Sequence, residues 1–254
     1  MRAIFLNFLI LSLSSLATFQ MNFYTVATAS PDPVTQQTNL EEQARGYELI
    51  LQQEPNNQTA LAGLLNIRLR QGRFEATITP LEKLVELNPN RVEYGILLAQ
   101  MRQQFGNVEG SVQAYRDVLA IRPLEIRALS GLIYLMVQQN RSGEAISLLQ
   151  DTLQNAGTLD TQNTGTLNTC QSRTDIIAVQ MLLGSIHAKQ GQFNEAIAVY
   201  NQVIESDRQD FRPVLGKALV LQQQERIKEA KALFAVAASL APEQFRDQIN
   251  QLSR

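Results

Sequence analysis

The chain has 254 residues, 44% of them hydrophobic and 18% charged, with a formal net charge of −2. That is enough apolar material for one or two cores, without the basic excess that displaces counterions from a nucleic acid. One cysteine, Cys170, and one histidine, His187, leave no disulfide framework and no four-ligand structural zinc site.

Glutamine fills the gap left by charge, with 29 residues, so the surface is polar but often neutral. Tryptophan is absent, which removes the side chain that most often stacks on quaternary amines.

The first element is an address. "MRAIFLNFLILSLSSLATF" has one charge, Arg2, ahead of an apolar run from Ala3 to Phe19. Ala27 and Ala29 in "VATAS" are small and two apart, as a signal peptidase requires. Residues 1–29 are therefore expected to be a cleaved signal peptide or, if the run extends through "QMNFYTVA", an uncleaved membrane anchor. Retention of Arg2 sends the body across the membrane in both cases. Removing Met1–Ala29 takes away one basic and no acidic residue, leaving a net charge of −3. The expected location is the periplasm or thylakoid lumen, with membrane contact only through this segment. Residues 30–39 are polar and read as a flexible linker.

From residue 40 onward one pattern recurs. Pro55, Pro89 and Pro123 are 34 residues apart, and Arg208 and Pro242 repeat the interval. A period of 34 points to helical hairpins. Twelve residues before each mark lies a small residue: Thr77, Ser111, Ala145, Ala196, Ala230. Four later comes a bulky one: Leu81, Tyr115, Leu149, Tyr200, Phe234. Three later still come Leu84, Val118, Thr152, Val203 and Ala237. Spacings of four and three share one helix face. The small residue permits close approach and the large one fills the gap beside it.

The preceding helix of each period has its own apolar stripe, as in Leu61, Leu64 and Leu65. Between the two helices lies Gly72, Gly106, Asn140 or Gly191, residues that accept a left-handed helix end. Glu225 departs from this rule. Pro80 falls inside a second helix and predicts a kink or late start there.

The expected organisation is a half repeat over 40–56, then repeats over 57–90, 91–124, 125–159, 177–210 and 211–242, with a closing helix over 243–254. The Thr-, Asn- and Gly-rich stretch 160–176 interrupts the series and reads as a flexible surface insert.

The core "GQFNEAIAVY" (Gly191–Tyr200), with its looser copies, resembles the tetratricopeptide repeat family. The resemblance covers 40–254 and implies an all-α, right-handed superhelical solenoid whose first helices line a concave binding face. Some members grip a chaperone's C-terminal carboxylate with Lys, Asn and Arg. Here the lysine slots are Ala62, Ile96, Ser130, Met181 and Leu215, so that clamp is not assembled. The residues expected to project into the groove are Asn66, Arg70, Glu93, Gln100, Gln104, Arg127, Tyr134, Gln138, Lys189 and Arg212. A mixed polar face of this kind suits an extended or helical peptide.

A narrower resemblance lies in "LLAQMRQQFGNVEGSVQAYRDVL" and "QDFRPVLGKALVLQ", which are similar to cyanobacterial and chloroplast tetratricopeptide proteins related to SLOW GREEN. It implies a role supporting biogenesis of the photosynthetic membrane. The abundant glutamine fits a cyanobacterial source.

Chemistry is not expected. His187 reads as a packed core histidine, Cys170 stands beside no base, and no Gly-rich phosphate loop occurs. The expected function is a non-enzymatic interaction scaffold with a protein or peptide partner, no nucleic acid and no cofactor. The alternatives are an accessory domain or enzyme with an unrecognised site, and a cytosolic adaptor.

Overall fold

The computed structural model describes residues 33–162 and 169–253. Among these residues the regular structure is helical throughout. A lone helix α1 (Pro33–Gln53) comes first. The first pair is α2 (Gln58–Arg70) and α3 (Ile78–Leu87), joined through a 3-10 turn at Glu75–Thr77. Then follow α4 (Val92–Gln104) with α5 (Val108–Ile121), α6 (Ile126–Gln138) with α7 (Ser142–Gln162), α8 (Thr169–Lys189) with α9 (Phe193–Ser206), and α10 (Phe211–Gln223) with α11 (Ile227–Leu240). Helix α12 (Glu243–Leu252) closes the series. The described chain forms two compact units, one ending at Leu135 and the other beginning at Met136.

Each first helix ends in the same way. Gly72, Gly106, Asn140, Gly191 and Glu225 all have φ between 59° and 78°. The amide after each donates to the carbonyl five residues back: Arg73 to Arg68, Asn107 to Arg102, Arg141 to Met136, Gln192 to His187, Arg226 to Leu221. These are Schellman turns, and they satisfy carbonyls the helix leaves open. Glu225 adopts the left-handed conformation although its side chain disfavours it, so its departure is in residue type and not in backbone.

The small column is buried as expected. Thr77, Ser111, Ala145 and Ala196 are 0% exposed and Ala230 is 1%. Ser111 reconciles its hydroxyl with burial by donating to the Ala99 carbonyl at 2.7 Å, and Thr77 by donating to that of Phe74 at 2.6 Å. Leu81, Tyr115, Leu149, Tyr200 and Phe234 are buried beside them.

Pro80 produces a late start. The chain takes a 3-10 turn at Glu75–Thr77 before α3 opens at Ile78. Pro80 thus lies in the first turn, where its missing N–H leaves no helical bond broken.

Two expectations need correction. The segment 30–39 was expected to be a linker, but from Pro33 on it is helical, because α1 extends two turns ahead of the half repeat. The segment 160–176 was expected to be a loop, but α7 runs to Gln162 and α8 begins at Thr169. Its Thr and Asn residues have poor helix propensity, yet the flanking amphipathic helices extend into it. Cys170 falls in the first turn of α8. The expected signal peptide or anchor at 1–29 lies outside the described residues.

At the start, α1 behaves as half of a hairpin. Its Leu40 and Ala44 pack with Leu64 and Ile67. Ile50 occupies the column of Leu84 and Val203, which are buried, but is itself 42% exposed, since no first helix among the described residues covers that side. At the other end Phe245 of α12 stacks on Phe211 with centroids 5.6 Å apart, and Ile249 is buried.

Candidate functional site on the first-helix face

Helix periodicity fixes which residues of the first helices stay open. In α4 the side toward its neighbours holds Val92, Gly95, Ile96, Leu98, Ala99 and Met101, all buried. What remains is Glu93, Leu97, Gln100 and Gln104, spaced four, three and four and therefore one stripe. Glu93 and Gln104 are exposed and Gln100 half-buried. The same arithmetic leaves Asn66 and Arg70 exposed on α2, Arg127 and Tyr134 half-buried on α6, Gln138 exposed at its end, Lys189 exposed on α8 and Arg212 exposed on α10.

All ten expected groove residues thus lie on first helices, and none is fully buried. In the unit ending at Leu135 they are Asn66, Arg70, Glu93, Gln100, Gln104, Arg127 and Tyr134; Gln138, Lys189 and Arg212 belong to the other. Two of the cations are tied down locally. Arg127 Nε donates to Glu125 at 2.9 Å. Arg212 donates through Nη2 to Asp210 at 2.7 Å, and this contact raises the guanidinium pKa. Asp210 also accepts from the Arg212 amide at 2.9 Å and so caps α10. These arginines present neutral pairs.

The lysine slots of the carboxylate clamp are filled by side chains that belong to the core. Ile96 and Leu215 are each 3% exposed.

A second column was not singled out from sequence. Arg68 and Arg102 are 34 apart and each reaches back to the preceding second helix, Arg68 to Glu48 and Arg102 to Glu82, the latter at 2.7 Å. Arg102 also donates to the Gly110 carbonyl at 3.1 Å, and its Nε is buried without a partner. The matching 34-residue spacing of Glu48 and Glu82 is visible in the sequence and was the available signal. Later members of the column are Met136, His187 and Leu221.

His187 is 7% exposed and its Nδ1 lies 2.7 Å from Oε1 of Gln192. Close by, Gln190 Nε2 donates to the Ser142 hydroxyl at 2.7 Å. The histidine is a packed, hydrogen-bonded residue in the turn that joins α8 to α9. Among the described residues no group of three or more His, Cys, Asp or Glu side chains is placed to hold a metal.

Residues 187–249 match the family described as tetratricopeptide repeat. The chain carries tetratricopeptide repeats. The crystal structure of yeast Tom70 superposes on 97% of this chain and 45% of its own, with a TM-score of 0.56 at 15% identity. A crystal structure of MamA protein superposes on 75% of this chain and 94% of its own, with a TM-score of 0.50 at 17% identity. At such identities the likeness is one of fold. In sequence, protein SLOW GREEN 1, chloroplastic, of Arabidopsis thaliana is 26% identical over 231 residues, which is 88% of this chain and 70% of that protein. The tetratricopeptide fold is typically an interaction scaffold without catalytic machinery, and the polar stripes on its first helices are the surface this array has to offer.

Proposed function

We propose that the protein is a non-enzymatic scaffold that holds a partner polypeptide along its first-helix face, on the far side of a membrane. The observation that carries this is the stripe Glu93, Leu97, Gln100 and Gln104 on α4, repeated in kind on α2 and α6. Each first helix buries one side against its neighbours and leaves a row of hydrogen-bonding side chains unoccupied by the fold. Long amides donate and accept, which suits the backbone of an extended or helical peptide. The N-terminal Arg2 followed by an apolar run and the Ala27/Ala29 pair support export or tethering. Similarity to a chloroplastic protein supports a role as an assembly factor in a photosynthetic membrane system.

The experiment is to recover C-terminally tagged protein from its native host, crosslink, and read both the partners and the mature N-terminus by mass spectrometry. The proposal expects a start near Ser30, or a membrane-bound chain keeping Met1, with a defined partner polypeptide. Recovery from the cytosol with Met1 intact contradicts export.

A further inference from the structure

Charge is divided unequally between the two helices of each hairpin. The five first helices carry eight basic residues and only two acidic ones, Glu93 and Asp175. The five second helices, with the 3-10 turn ahead of α3, carry four basic and eleven acidic. The bias holds within each unit by itself. First-helix residues up to Leu135 include four basic and one acidic, and those from Met136 on include the same.

Helix dipoles do not account for it. A cation is favoured in the last turn of any helix. Yet the last turns of α3, α5, α7, α9 and α11 contain none. Those of α2, α4 and α8 contain Arg68 and Arg70, Arg102, and His187 and Lys189. Arg68 and Arg102 are consumed in bonds to the preceding helix. Arg70 and Lys189 are not. Both are exposed at the final position of their helices and take part in no ion pair among the described residues. That position is Gln104, Gln138 and Gln223 in the other first helices, so no member of the column is acidic.

We propose that the polypeptide held on the first-helix face is acidic, with Arg70 in one unit and Lys189 in the other as its unpaired cationic contacts. This rests on the scaffold reading above and adds the chemistry of the partner. The acidic second helices repel such a segment from the opposite side, while Gln100 and Gln104 beside Arg70, and Gln138 in the other unit, supply amide donors to carboxylates or backbone carbonyls.

The test is fluorescence anisotropy on the protein purified from its host, with three labelled peptides of equal length built on alternating Glu, Lys or Gln. The Glu peptide is expected to bind about tenfold tighter than either of the others at low salt, and the advantage is expected to shrink as salt rises. The double variant Arg70→Glu, Lys189→Glu is expected to lose about tenfold for the Glu peptide. Lys83→Glu, Lys228→Glu, on second helices, is expected to leave it unchanged. Equal melting curves confirm that both variants fold. Preference for the Lys or Gln peptide, or binding of none, overturns the acidic assignment. So does tighter binding of a single-stranded oligonucleotide than of the Glu peptide. Capture of a non-acidic peptide on Gln100 leaves the scaffold reading standing and removes only this inference.

Discussion

Tyr200 and Gly216 make one of the closest contacts in the repeats: a Cβ built on Gly216 would stand 2.8 Å from the Cζ of Tyr200. On the ring's other flank Gly184 comes closer still, at 2.6 Å to Cε1. The same ring-to-glycine packing joins Tyr115 to Gly131 and Tyr47 to Gly63. A glycine in mid-helix costs about 1 kcal/mol in propensity, so its presence at each of these sites reflects the space the ring takes. Gly216→Ala should therefore destabilise by roughly 1–2 kcal/mol, overpacking outweighing the propensity gain. Gly46→Ala on α1, where nothing lies within 4 Å, should stabilise by roughly 0.5–1 kcal/mol. Thermal melts of the two variants check the opposite signs.

The five Schellman turns give a second pair of opposed expectations. Glu225 holds φ at 61° and Gly191 at 76°. Glu225→Gly relieves a left-handed side chain and should raise stability by about 1 kcal/mol. Gly191→Ala has open space around it, so its cost of about 1 kcal/mol comes from backbone strain alone. Differential calorimetry on both variants distinguishes strain from packing.

Arg102 joins α4 to α3 and α5 and keeps a buried, unpaired Nε. Its column contains Met136, an apolar residue of similar length. Arg102→Met should change stability by no more than about 1 kcal/mol, because it removes the unpaired donor along with the ion pair. Glu82 keeps its water, since its side chain is 43% exposed. Arg102→Ala should cost about 2 kcal/mol through lost packing of the stem. Urea unfolding of the two variants reads the difference.

Burial pushes the phenol of Tyr115 up to about 12. A group whose ionised form is disfavoured in the fold contributes stability below its unfolded pKa of about 10. That contribution, roughly 2–3 kcal/mol, is lost as pH rises from about 10 through 12. Tyr115→Phe should flatten the fall in melting temperature across this window while leaving neutral-pH stability nearly unchanged. Tyr200 is raised further by the same cause and continues to titrate only on unfolding.

Fold was largely legible because the signal repeats. The column from Thr77 to Ala230, the turn at Gly72 and its copies, and the effect of Pro80 each follow from local sterics that one period of sequence displays. The two misread segments, 33–39 and the flanks of 160–176, lack an apolar stripe of their own, and helix growth from a packed neighbour decided them. The site was legible as a set of positions and not as chemistry. Periodicity placed Asn66 through Arg212 on the open side of first helices, but that Arg127 and Arg212 are paired with Glu125 and Asp210 depends on cap geometry. The ties from Arg68 and Arg102 to Glu48 and Glu82 link helices twenty residues apart, a distance at which no single-helix pattern speaks.

The central claim is that the first-helix face holds a partner polypeptide. Its most direct test is a photo-crosslinking amino acid placed in the native host at Gln100 on α4 and, separately, at Arg116 on the outer side of α5. The expected result is one recurring polypeptide adduct from Gln100 that identifies by mass spectrometry, and none from Arg116. An adduct from Arg116 alone, or none from Gln100 in protein that melts like the parent, contradicts it.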